Sequence, residues 1–132
     1  MLTNADITVC NSYLNPDTRI REWHRAFIKG VRFYADNKVN LTDGGLSSAD
    51  VYKVRIPVTA NFGDSKYVPP NEYTGAADTW TLKNDDYVSR GELLTDIEKP
   101  ADLQTLSGQY FKITSWADNR SGGLKHWRIG GV

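Results

Sequence analysis

Residues 109–132 read QYFKITSWADNRSGGLKHWRIGGV, and this stretch decides the fold class. Phe111, Ile113 and Ser115 alternate with Lys112, Thr114 and Trp116, the period of two that puts successive side chains on opposite faces of a strand. The run Asp118-Asn119-Arg120-Ser121-Gly122-Gly123 then supplies a reversal, because Gly and Asn tolerate the positive φ of tight turns. Residues 124–129 bring the chain back, and Gly130-Gly131 is expected to stop it. A hairpin closing the chain needs other strands to lie against. Trp116 and Trp127, two of the four tryptophans, are its expected anchors in a core or an interface.

Working outward, the same signals recur. In residues 6–14, Ile7, Val9, Asn11 and Tyr13 alternate against Thr8 and Cys10, and Asn15-Pro16-Asp17-Thr18 is a turn. Residues 19–34 fit two patterns. Ile20, Trp23, Phe27, Val31 and Tyr34 fall on one helical face, whereas Trp23, Arg25, Phe27, Lys29, Val31 and Phe33 alternate as a strand. Gly30 and the density of β-formers favour a long strand kinked at Gly30. A short strand at 39–41 leads into the turn Thr42-Asp43-Gly44-Gly45. Residues 50–58 form a strand with Tyr52, Val54, Ile56 and Val58 on one face, and Pro57 assigns it to an edge or a strand end. Residues 59–79 read as a long loop, and residues 79–82 and 87–90 as a hairpin around Lys83-Asn84-Asp85-Asp86. One short helix is expected near 99–107, opened by Pro100, favoured by Asp102 in its first turn, packed through Leu103 and Leu106 and stopped by Gly108. The sum is a single all-β domain over 1–132, a small barrel or sandwich of about six to eight short strands.

The chain has 132 residues, with 16 basic and 16 acidic side chains that cancel. A domain this long buries roughly two-thirds of its unfolded surface, enough for a core without staples. Zero net charge argues against a general attraction to nucleic acid or anionic membranes and suits a chain that works assembled. A lone Cys10 excludes an internal disulfide and a Cys-rich metal site and reads as a small buried apolar residue. No run is long and apolar enough for a membrane-spanning helix, and Met1-Leu2-Thr3-Asn4 does not open a signal peptide.

Chemistry-bearing motifs are missing. The sequence contains no GxSxG, P-loop, GxGxxG, HExxH or paired-Cys motif. His24 and His126 are its only imidazoles, and neither has a recognisable nucleophile beside it. Asp85-Asp86 reads as turn chemistry rather than a metal pair, as do Asp43-Gly44-Gly45 and Asp118-Asn119-Arg120. The expectation is a protein that is not an enzyme, with no catalytic residues, no cofactor and no metal.

Six stretches carry a resemblance: ITVCNSY (7–13), RAFIKGVRF (25–33), GGLSSADVYKVRIP (44–57), YVPPNEY (67–73), TWTLKNDDYVSRGE (79–92) and FKITSWADNR followed by GGLKHWRIGG. Together they resemble a family of small virion proteins of phages and prophages of Gram-positive bacteria, from the head–tail connector region. That family is similar to head-closure (stopper) proteins, β-barrels assembled as a ring between the portal–adaptor and the tail. The resemblance implies a structural subunit of the phage neck, a homo-oligomeric ring touching neck proteins on both sides. It further implies passive contact with packaged DNA, no membrane partner, and assembly in the host bacterial cytoplasm. A tail terminator, or another structural protein of the neck or tail such as an adaptor, is the neighbouring alternative. From another class comes a nucleic-acid-binding or carbohydrate-binding β-module, for which Trp23–Arg25 and His126–Arg128 set aromatic beside basic residues. Lys66, Tyr67, Val68 and Tyr73 on the long loop, with Arg25 and Arg32, are the expected interface residues.

Overall fold

The computed structural model of the chain describes residues 2–35, 39–42, 45–48, 52–106 and 109–132. Among these described residues ten strands follow in order: β1 Ala5–Leu14, β2 Arg21–Ala35, β3 Val39–Thr42, β4 Gly45–Ser48, β5 Tyr52–Pro57, β6 Lys66–Tyr67, β7 Thr79–Trp80, β8 Tyr87–Arg90, β9 Tyr110–Asp118 and β10 His126–Gly131. Six of them close into an antiparallel barrel in the order β1-β2-β5-β10-β9-β8. Closure leaves no open sheet edge over the paired span. β3 and β4 form a separate two-stranded hairpin, in register from Val39↔Ser48 to Thr42↔Gly45. Asp43-Gly44, Gly108 and the first two residues of the 50–58 run lie outside the described residues.

The ambiguous stretch 19–34 is a strand. Gly30 has φ +84°, and the β1–β2 register slips there from Asp6↔Lys29 to Ala5↔Val31. This is a β-bulge, and it changes which side chains face inward. Before it Ala26 and Ile28 are buried, and after it Val31 and Phe33 are. The single face running from Trp23 to Phe33 in the sequence is therefore two faces. Asp6 Oδ1 accepts the Gly30 N–H at 3.0 Å and pins the kink, after which β2 leaves β1 for β5.

A second bulge does the same in β9. Ser115 pairs with Gly130 but Ile113 with Gly131, so Thr114 is extra and Trp116 turns inward beside the core in place of Ser115. Gly130 and Gly131 continue β10 rather than ending it. A Cβ on Gly131 would strike the Lys112 carbonyl oxygen and lie 2.9 Å from Phe111 Cε2, so the strands approach too closely for any other residue. Gly131→Ala is accordingly expected to cost about 3 kcal/mol, the upper end of overpacking, because a backbone carbonyl cannot rotate away. A denaturant midpoint within experimental error of wild type would refute this.

The core inside the barrel is built from Ile7, Val9, Ile28, Val31, Val54, Ile56, Val88, Phe111, Ile113 and Ile129. β5 is flanked by β2 and β10, and Pro57 is its last residue, so the strand-end reading of that proline holds and the edge reading does not. Val58 lies beyond the strand end and is exposed rather than continuing the inward face. β5 and β8 stand opposite each other in the barrel order, so residues 58–86 cross one end of it. The crossing segment is not a plain loop. It carries β6, the 3₁₀ turn Pro70–Glu72 and β7, and β6 pairs with β7 in parallel. The expected 79–90 hairpin is absent for the same reason: β7 takes β6, and β8 inserts between β1 and β9.

Both faces of β1 are buried. Residues 91–106 form a strap across its outer face, where Cys10 packs with Leu93, Ile97 and Leu103 against Trp23, Tyr87 and Tyr110. The expected helix is a 3₁₀ turn, Pro100–Asp102, running into one α-turn, Leu103–Leu106. Asp102 Oδ2 accepts the N–H groups of Glu98 (3.0 Å) and Lys99 (3.3 Å). Leu103 is fully buried, but Leu106 is 40% exposed, so only the first of the expected pair packs on the barrel.

Candidate functional site

Three places concentrate polar or aromatic side chains. The first is a buried network where the β1–β2 hairpin leaves the barrel rim. Asp86 is 1% exposed. Its Oδ1 accepts from Ser12 N (3.2 Å) and Ser12 Oγ (2.7 Å), its Oδ2 from Asn11 Nδ2 (3.0 Å), and Lys83 Nζ lies 3.4 Å from Oδ1. Asn11 also brackets Thr81, donating to its carbonyl at 2.8 Å and accepting its N–H at 3.0 Å. Lys83 donates to the Ser12 carbonyl and, at 2.9 Å, to Ser12 Oγ, which Arg21 Nη1 reaches at 3.2 Å.

The Ser12 hydroxyl therefore gives its proton to Asp86 and fills both lone pairs with Lys83 and Arg21, which leaves nothing for nucleophilic work. Burial pushes the Asp86 carboxyl above its ordinary value, while its bonds from Asn11 and Ser12 and the charge of Lys83 pull the other way. The network is a clamp: β1 past the rim loses its β8 partner, and Asp86 and Lys83 satisfy the Ser12 peptide groups in its place. The neighbouring Asp85 is exposed and reaches Lys112 at 3.2 Å, so the two carboxylates diverge. Among the described residues no three His, Cys, Asp or Glu side chains are grouped so as to hold a metal ion. Burial pushes the Cys10 thiol up to about 12, away from thiolate chemistry.

The second place is an aromatic lid on the crossed end of the barrel. Trp80 is fully buried, stacked on Phe62 (5.7 Å, 12°) and edge-on to Tyr67 (5.0 Å) and Trp127 (5.1 Å). Asp118 holds Arg120 through Nε (2.8 Å) and Nη2 (2.7 Å), and the guanidinium lies over Tyr67 (5.0 Å) and Trp127 (4.9 Å). A cavity of about 250 Å³ opens between these rings, Ser65 and Lys66.

The third place is the outer wall of β2, β5 and β10. The registers Arg32↔Arg55 and Arg128↔Arg55 set three arginines side by side across three adjacent strands. Each sits between buried apolar neighbours: Val31 and Phe33, Val54 and Ile56, Trp127 and Ile129. All three side chains thus point away from the core, in a row with a spacing of about 4.8 Å. Lys53 follows on the same wall, opposite Tyr34 and Gly130. Among the described residues none of these four cations makes an ion pair, and Arg55 Nε is buried without a hydrogen-bond partner. Like charges directly opposite one another across strands destabilise a sheet, so such a row calls for countercharge from outside.

The residues expected at an interface are dispersed. Lys66 is exposed on β6, while Tyr67 and the half-buried Val68 belong to the aromatic lid, Val68 N donating to the Trp80 carbonyl at 2.9 Å. Tyr73 is buried edge-on to Tyr13 (6.2 Å), so its ring folds back on its own chain. Arg25 holds the strap through Asp96, at 3.0 Å from Nε and 2.6 Å from Nη2, and donates to the Leu93 carbonyl. Arg32 stands at one end of the arginine row. Sequence reasoning missed Asp86 as a hub and the row as a row. The outward placement of each arginine was legible from its apolar flanks; their alignment was not, because it depends on the register of strands far apart in the chain.

The described residues contain no helix long and apolar enough to cross a membrane. No curated protein and no solved structure matches the chain. Residues 2–132 match a family of unknown function, DUF6751, and the chain belongs to that family.

Proposed function

We propose that this chain is a structural subunit of the phage neck, the head-closure ring that joins the portal–adaptor to the tail. The observation that carries the reading is the arginine row on the outer wall of a closed barrel, which makes no ion pair among the described residues. Such a wall calls for a countercharged neighbour, as a subunit built into an assembly would have. Two further features agree with it. The Asp86 clamp spends its polar groups on holding the chain's own hairpin. The β1–β2 hairpin projects past the barrel rim and carries Leu14 and Ile20, 54% and 63% exposed, at its tip. Exposed apolar residues beside an ordered turn suit contact with another protein. The turn is ordered by Asn15 Oδ1, which accepts from Asp17 N (2.9 Å), and by the Asn15 N–H, which donates to the Ile20 carbonyl (3.0 Å).

The test is electron microscopy of particles assembled without the protein. Tailless heads that leak DNA are the expected result. Filled heads beside overlong or unattached tails would move the protein to the tail terminator, and normal particles would reject the neck role. The lid, where Arg120 and Lys66 border aromatic rings, gives footing to the second reading, a nucleic-acid-binding module. Salt-dependent binding of single-stranded DNA that is lost in Tyr67→Ala, together with normal particles, would establish that reading instead.

A further inference from the structure

We infer that the arginine row docks on the acidic strap of a second copy of this chain, so that subunits join head to tail; this rests on the ring reading above. The countercharge the row requires is present in the molecule, but on another side. Arg55, at the middle of the row, lies on β5, which stands opposite β8 in the barrel order. The strap, residues 91–106, covers the outer face of β1, which lies between β8 and β2 and stands opposite β10, the strand that carries Arg128 at the far end of the row. It carries Glu92, Asp96, Glu98 and Asp102 against the single cation Lys99.

Two of those acids are committed within the chain: Asp96 to Arg25, and Asp102 to the N–H groups that precede its own turn. Glu92 and Glu98 are exposed and make no ion pair among the described residues. Leu94, between them, is 82% exposed, an apolar contact ready for burial. A chain with zero net charge that segregates cations to one wall and free carboxylates to another is self-complementary in translation. Two different patches on different sides of one subunit make a heterologous interface, which closes into a ring when the rotation permits. Arginine suits the role, since its planar fork pairs carboxylates in bidentate fashion.

The experiment uses the full chain and two charge-reversed forms. Arg32→Glu with Arg128→Glu alters two exposed members of the row and spares the half-buried Arg55. Glu92→Lys with Glu98→Lys alters the strap and spares Asp96 and Asp102. In sedimentation velocity, wild type is expected to associate with rising concentration, and more weakly as salt is raised. Each double variant should associate on the order of 100-fold more weakly. An equimolar mixture of the two should regain association, because each supplies the charge that the other now lacks. Unchanged circular dichroism shows that both variants fold.

Wild type that stays monomeric at millimolar concentration would overturn the inference, as would variants that associate like wild type or a mixture that regains nothing. A monomeric wild type whose row binds duplex DNA, with loss in the Arg32→Glu, Arg128→Glu form, would reassign the row to phosphate. Particles that carry the protein in the neck yet assemble normally with both variants would defeat the inference and leave the ring reading standing. Normal particles without the protein would defeat the reading itself.

Discussion

Replacing Asp86 by alanine is expected to lower the unfolding free energy by about 3 kcal/mol or more, the cost of breaking a buried charged pair by removing one partner. The loss takes the acceptor from Ser12 N, from the Ser12 hydroxyl and from one N–H of Asn11 Nδ2, whose other N–H keeps the Thr81 carbonyl. Urea unfolding measures it; a loss under 1 kcal/mol would mean that water substitutes for the carboxylate and the clamp is ornamental. Asp86→Asn separates charge from shape. Because burial raises the Asp86 carboxyl in the folded state, that state binds the proton more tightly than the unfolded chain does. The sign is therefore opposite to that of an ordinary salt-bridged carboxylate. The contribution is fully present below the unfolded value near 3.8 and is lost as pH rises through the raised folded value. Relative to Asp86→Asn, wild type should gain stability on acidification through that window. A gap that moves the other way would show a carboxyl stabilised as the anion.

Trp80→Ala is the second large effect, expected at about 3–5 kcal/mol for a fully buried indole. Trp80 joins the segment that crosses the barrel end to the barrel itself. Its ring meets Phe62 and Tyr67 from that segment and Trp127 at the start of β10. Its loss should lower the denaturant midpoint and shift the fluorescence of Trp127 to the red as water enters the lid. A midpoint within about 1 kcal/mol of wild type would mean that residues 58–86 dock weakly and that the barrel stands without its lid.

Much of the fold was legible, and the reasons are local. Alternation in 6–14, 52–57 and 109–118, together with Asn and Gly at the reversals, gave strands and a closing hairpin that the structure contains. Gly30 was readable as a kink because only glycine takes φ +84° without strain. Its consequence was not, since the inward face changes at the bulge and makes one strand resemble a helix on paper. The strand at 79–80 was right and its partner wrong: alternation specifies that a residue pairs, not with which strand.

The site shows the same division. Asp86 follows Asp85 in a stretch with every mark of a turn, and only the return of β1 beside it makes the second carboxylate a buried hub. Tyr67 and Tyr73 look like surface aromatics among polar neighbours, and packing turns both inward. The sequence alone pointed to an all-β fold, favoured a kink at Gly30 and set Arg55 on the face opposite Val54 and Ile56, because period and backbone freedom act over a few residues. Barrel closure, the Asp86 clamp and the row formed by Arg32, Arg55 and Arg128 were decided by the tertiary structure, because each depends on contacts between strands far apart in the chain, as in the pairing of Ile7 with Arg90, and no local pattern encodes a register.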